Sequence, residues 1–153
     1  ANTSVDGFPN KTVRIVVPVA AGGSADKLAR TLAQKLSERW HQSVVVENVS
    51  GASGTIGAGQ VARAAPDGYT LLLGGEGVTL NASLFKRLPY DTRNAFRGVI
   101  KAVVSPQVLV VRPDLGVKTF GEYLALAKRK PGELALGLPG NGGIAAVFSV
   151  SPQ

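Results

Sequence analysis

The side chains of this 153-residue chain offer little that could make or break bonds. It has no cysteine, no methionine and a single histidine, His41. Thiol catalysis, disulfides and zinc–thiolate sites are therefore excluded, and the usual Ser–His, Cys–His and His-rich metal arrangements have no members to build from. His41 follows Trp40 at the end of a helical pattern and reads as a solvent-facing helix-end residue. Asp67 and Glu76 stand in glycine-bearing turns with no second carboxylate at a recognisable spacing. Asp26 falls in the first turn of a helix, where a carboxylate stabilises the positive end of the dipole without any further role. No catalytic residue, metal site or cofactor is expected, and the chain does not read as an enzyme.

What remains is the chemistry of the backbone. Three glycine-rich turns, at about 18–24, 51–57 and 137–143, each follow a β-like run. In the first, Val13 to Val17 reads as a buried strand that breaks at Pro18, turns through Ala20 to Gly23 and enters a helix at Ser24. Such a joint aims several free N–H groups at one point, and the first turn of a helix adds a partial positive charge, so the point attracts anions. None of the turns is a Walker loop, and none has the glycine offsets of a dinucleotide fingerprint. The competing reading is that all three are plain tight connections.

The elements that would carry these turns follow from periodicity. Residues 24–41 place Leu28, Leu32, Leu36 and Trp40 on one face, an amphipathic helix docking on a sheet. Residues 43–48 read as a second strand, 61–65 as a short helix stopped by Pro66-Asp67-Gly68, and 69–73 as a third strand. This β-α-β-α-β order is that of a parallel sheet covered by helices, in which ligands collect at the carboxyl ends of the strands. Beyond it, 79–85 is expected as a short helix, 86–95 as loop, and 99–104, 108–111 and 134–136 as further strands. Thr119-Phe120-Gly121-Glu122 is a capping box opening a helix that should run to about Lys130 and end at Pro131-Gly132. A short apolar helix is expected near 144–148.

Seventeen basic against ten acidic residues give a net charge of +7. The basic residues are scattered, and the one run, Lys128-Arg129-Lys130, lies where cations complement a helix end, so nucleic acid is not the expected partner. No apolar run approaches the ~20 residues that cross a bilayer. Ala1-Asn2-Thr3-Ser4 is compatible with a terminus left by signal removal.

Three ordered motifs carry a resemblance. Residues 13–26, Val46-Glu47-Asn48 with Gly51-Ala52-Ser53-Gly54-Thr55-Ile56-Gly57, and the segment from Val61 to Leu72 resemble the signatures of the Bug receptors, extracytoplasmic solute-binding proteins of tripartite tricarboxylate transporters. The resemblance extends more loosely through Pro139-Gly140-Asn141-Gly142. It implies a periplasmic receptor with an α/β, type II periplasmic-binding-protein fold, whose two lobes close on a small carboxylate: a dicarboxylate, an aromatic acid or an acidic amino acid. Integral-membrane transporter subunits are its implied partners. Carried over by motif, Ala20, Ala21, Gly22, Gly23 and Ser24 form the grip of the first lobe, with Thr55 as a neighbour. Gly140, Asn141, Gly142 and Gly143 form the grip of the second.

Residues 1–104 are expected as the first lobe and 105–153 as the start of a second that is incomplete, since members of the family are roughly twice as long. A half-built lobe would expose strand edges and an apolar face, so association with a second copy is expected. Two positions depart from the family pattern: Gly143 stands where a Ser is usual, and Ala145-Ala146 where a His is. Glu76 occupies a turn where small polar residues are usual; it either points away from an anionic ligand or meets a ligand's amino group. The competing classes are a basic module binding nucleic acid or protein, a fragment that binds nothing, and a small α/β hydrolase or transferase, which lacks a base near any nucleophile.

Overall fold

The computed structural model describes residues 7–135 apart from 105 and 107, together with 137. Described residues up to Arg97 make one compact unit and Gly98–Gly137 a second. In the first, strand β1 (Val13–Val17) leads to helix α1 (Ser24–Trp40), strand β2 (Val44–Asn48), helix α2 (Thr55–Ala62), strand β3 (Thr70–Leu72) and helix α3 (Gly77–Leu84). The three strands form one parallel sheet in the order β2-β1-β3, with Val13 facing Val44 and Arg14 facing Thr70 at the start of the two ladders. The α/β parallel-sheet expectation holds.

β1 is central, which explains why its sequence is so apolar: Val13, Ile15, Val16 and Val17 are all buried. Full burial of an aliphatic side chain of this size stabilises by about 1.5–3 kcal/mol. The exception, Arg14, reaches outward to Glu47 on β2 at 3.6 Å. α1 packs on the sheet through Ala29 and Ala33, with Leu36 and Trp40 at the margin of the same cluster. The docking stripe is thus rotated by about one residue from the Leu28–Leu32 line the spacing predicts; both leucines are half-buried flanks. Small alanines let the helix approach the sheet closely, and that outweighs the larger area the leucines would bury. His41 caps the C-terminus of α1 in a left-handed conformation, its N–H donating to the Ser37 carbonyl at 3.0 Å.

α2 begins at Thr55, earlier than the 61–65 the sequence predicts, and so includes Gly57. A glycine there is a requirement: a Cβ at Gly57 would lie 2.7 Å from the Val49 carbonyl oxygen and 3.1 Å from Pro18 Cα. The helix packs backbone to backbone on the end of β1 and the exit from β2.

In the second unit, helix α4 (Phe120–Arg129) opens with the expected capping box: Thr119 Oγ1 accepts the Glu122 N–H, and Glu122 reaches back to the Thr119 N–H. The strands expected at 99–104 and 108–111 are not formed. Val99, Ile100, Val103, Val104, Val108 and Val110 are 56–83% exposed, and no described residue lines up with them in a ladder. β-propensity alone does not make a strand; the N–H and C=O groups need an adjacent chain to pair with. Residues 134 and 135 are likewise not a strand. Residue 136, the turn at 138–143 and the helix near 144–148 lie outside the described residues.

Gly57→Ala tests the close approach. In an ordinary helix the change would stabilise by up to ~1 kcal/mol. Here the added methyl meets backbone atoms that cannot swing aside, and a net loss of about 2 kcal/mol is expected in chemical denaturation. An unchanged or raised stability would show that α2 can shift away from Pro18.

Candidate functional site

Because β1, β2 and β3 are parallel neighbours, their carboxyl ends share one edge of the sheet, and each is followed by a turn and a helix start. α1, α2 and α3 begin after Gly23, Gly54 and Glu76, and none of these positions supplies a side-chain cap. The first-turn N–H groups are therefore left without the side-chain acceptor that normally closes a helix start. α4 is the contrast. Its capping box engages the N–H groups of Lys118, Thr119 and Glu122. At the start of α1 the N–H groups of Gly23 and Ser24 stay open among the described residues, whereas at α2 the Thr55 N–H donates to the Ala52 carbonyl, and at α3 those of Val78 and Thr79 donate to the Gly75 and Glu76 carbonyls.

The first turn, Pro18 to Gly23, is held by a buried carboxylate. Asp26 is 4% exposed, and its Oδ2 accepts the Gly22 N–H at 2.9 Å and the Arg30 Nε–H at 3.1 Å. Arg30 also donates to Asn48 Oδ1 at 3.2 Å, and Asn48 Nδ2 donates to the Val19 carbonyl at 3.3 Å. The chain of contacts thus runs from α1 through the end of β2 back to the turn. Arg30, then the Gly22 N–H, hold the Asp26 carboxyl down at about 2 against an ordinary 3.8, in spite of the burial that pushes the other way. Asp26 Oδ1 is buried with no hydrogen-bond partner among the described residues.

The second turn lies against the first. Pro18 is buried, and a Cβ on Gly54 would stand 3.3 Å from both its Cβ and its carbonyl oxygen. From Gly51 to Gly54 every φ is positive, including those of Ala52 (44°) and Ser53 (54°). The buried Asn81 of α3 donates its side-chain amide to the Ser53 carbonyl at 3.0 Å.

The residues carried over by motif divide as follows. Ala20, Ala21, Gly22, Gly23 and Ser24 are exposed at the sheet edge. The Gly22 N–H is engaged by Asp26, whereas those of Ala21, Gly23 and Ser24 make no short hydrogen bond among the described residues. Thr55 is buried, and its hydroxyl donates to the Ala52 carbonyl at 2.9 Å, so toward any ligand that oxygen can only accept. Gly140, Asn141, Gly142 and Gly143 lie outside the described residues. Glu76, also exposed, precedes α3, and its carbonyl accepts the N–H groups of Thr79 and Leu80. Asn48 enters the sequence analysis only as a member of the Val46-Glu47-Asn48 motif, without a role, and Asn81 does not enter it. Two polar residues ending the valine run of β2 were the available signal for Asn48; Asn81 gave none. Among the described residues no group of acidic or histidine side chains could hold a metal ion, and no helix is long and apolar enough to cross a membrane.

Comparison with known proteins agrees with this geometry. The family model described as tripartite tricarboxylate transporter family receptor matches residues 28–149. A UPF0065 protein from the TAR-I ttuE-ttuC' intergenic region of Agrobacterium vitis is 41% identical over 139 residues, covering 91% of this chain and 40% of its own length. The chain thus spans about two fifths of that relative. Among solved structures, the periplasmic binding protein BugD aligns at a TM-score of 0.56 with 47% identity, covering 58% of this chain and 30% of BugD. Rpa4515 of R. palustris, solved with adipate, aligns at 0.64 with 32% identity, covering 83% of this chain and 43% of its own.

Asp26 makes a pH prediction. Its folded-state pKa is depressed, so its contribution to stability is complete above 3.8, falls as the unfolded chain takes up a proton, and is gone once pH has dropped through about 2. Asp26→Asn should be clearly less stable than the parent at pH 7, and the gap should close between about pH 4 and pH 2. Denaturant titrations across that range check it; a gap that stays constant would remove the ionised Asp26 from the account.

Proposed function

Because this chain belongs to the tripartite tricarboxylate transporter receptor family, we propose that it is a periplasmic solute-binding receptor that captures a small carboxylate and presents it to integral-membrane transporter subunits. The observation that carries the reading is the pair of open N–H groups of Gly23 and Ser24 at the start of α1, on the carboxyl edge of a parallel sheet where α2 and α3 also begin without a side-chain cap. A carboxylate placed there accepts from oriented N–H donors and meets the positive ends of helix dipoles. The donors of Ala20, Ala21, Gly23 and Ser24 form the first grip, with Gly22 engaged in holding the turn and Thr55 alongside. Gly140, Asn141, Gly142 and Gly143 are proposed as the opposing grip, residues 1–104 as belonging to one lobe and 105–153 to the other. Binding then proceeds by closure of the lobes, with no bond made or broken.

The adipate bound to Rpa4515 points to a dicarboxylate as the first ligand to try. Aromatic acids and acidic amino acids follow, the latter because Glu76 would repel a second negative charge and attract an ammonium group.

Titration calorimetry and thermal melting with adipate, succinate, aspartate, glutamate and benzoate test the reading. At least one should release heat and, at about 100 times its Kd, stabilise by ~2.7 kcal/mol. Grip by neutral N–H donors predicts that Kd changes only a few-fold between about 50 and 200 mM salt, where a protein bound through many phosphates loses on the order of a thousandfold. No heat and no shift with any acid would overturn the carboxylate assignment; a steep salt dependence would favour the basic module.

A further inference from the structure

The turn Gly51–Gly54 holds a backbone that two of its residues resist. All four φ angles are positive, at 122°, 44°, 54° and 85°, yet Ala52 and Ser53 carry a Cβ that clashes in this region. Such a conformation persists only where the surroundings over-determine it. Four hydrogen bonds do so here. Three are local: the Gly54 N–H donates to the Gly51 carbonyl at 2.9 Å, and the Ala52 carbonyl accepts both the Thr55 N–H and, at 2.9 Å, the Thr55 hydroxyl. The fourth arrives from α3, where the Asn81 amide donates to the Ser53 carbonyl at 3.0 Å.

Asn81 is an unusual choice for its position. It is 1% exposed, as buried as the core valines Val13, Val16 and Val17. Burying an amide costs more than burying an aliphatic group of the same size unless the amide answers a specific acceptor. The topology shows what its bond achieves. In the order β2-β1-β3, the Gly51–Gly54 turn follows one outer strand and α3 follows the other. A bond between them therefore spans the carboxyl end of β1, beside Pro18, where the first turn begins.

We propose that Asn81 is a positioning residue of the ligand site: by holding the Ser53 carbonyl it keeps the second turn left-handed, and so sets the start of α2 and Thr55 beside the first turn. This rests on the receptor reading above. It assigns Asn81 no ligand contact; the effect passes through Ser53.

The test is a rescue in the full chain, read by calorimetric Kd for whichever acid of the panel binds best. Asn81→Ala should raise Kd about tenfold, the scale set by loss of the buried hydrogen bond to the Ser53 carbonyl. Adding Ala52→Gly and Ser53→Gly to that variant should restore Kd to within about threefold of the parent, because glycine adopts positive φ without a clasp. A residue that merely stabilised the core would show no such recovery in affinity. Asn81→Ala with a parental Kd, or a triple variant that binds no better than the single one, would overturn the proposal. If Asn81→Ala does not fold, the triple variant alone decides, by the same threefold criterion. A parent chain that binds no acid would overturn the receptor reading and this inference with it, whereas a parent that binds alongside an unaffected Asn81→Ala overturns only the inference.

Discussion

The close approach of Pro18 to the second glycine turn constrains everything else at the sheet edge. Gly57 lies where a single methyl group would come within 2.7 Å of the Val49 carbonyl and 3.1 Å of Pro18. β1 and β2 are held in register by their ladder, so the exits of both strands are fixed in space before any loop is considered. Gly54 and Gly57 then let the next segment fold directly onto Pro18. The beginning of α2 is thereby set against Pro18, in the turn that leads to α1, as a consequence of packing and without a side chain directing it.

Electrostatics at this edge would otherwise be awkward. A buried Asp26 beside a proposed anion site places a negative charge where another must arrive, and at such short range in a partly desolvated place the repulsion is strong. Arg30 one helical turn later offsets it, with its Nε 3.1 Å from Asp26 Oδ2 and the rest of its guanidinium turned to Asn48. The pair is close to neutral from outside. What is left facing solvent is a set of backbone dipoles, which can hold a carboxylate and still release it.

Much of this was legible in the chain because it is local. The apolar run of β1, the glycine turns, the α1 boundaries and the capping box of α4 all depend on residues within a few positions of one another. The misreadings are those that depend on distant partners. The valine-rich stretches at 99–104 and 108–111 have the composition of strands but no neighbour to pair with among the described residues. The docking stripe of α1 was set by how near the sheet could come, which favoured Ala29 and Ala33 over Leu28 and Leu32. Asp26 was readable as a helix-start carboxylate but not as the acceptor for Gly22. Asn81, 28 residues from Ser53, was not readable at all.

The treatment of helix starts separates the site from the scaffold. A good N-cap contributes ~1 kcal/mol. α4 takes that stabilisation through Thr119 and Glu122, whereas α1, α2 and α3 forgo it at the one sheet edge where they begin. Gly23 and Gly54 have no side chain to fold back, and Glu76 does not cap α3. Three omissions in neighbouring places cost a few kcal/mol, a sizeable part of a small domain's net stability. A fold that needed only to stand would close those ends. Leaving them without side-chain caps, while Asp26 holds the first turn and Asn81 the second, keeps the Gly23 and Ser24 donors of α1 both fixed and unsatisfied, and that is the state from which an anion can be bound.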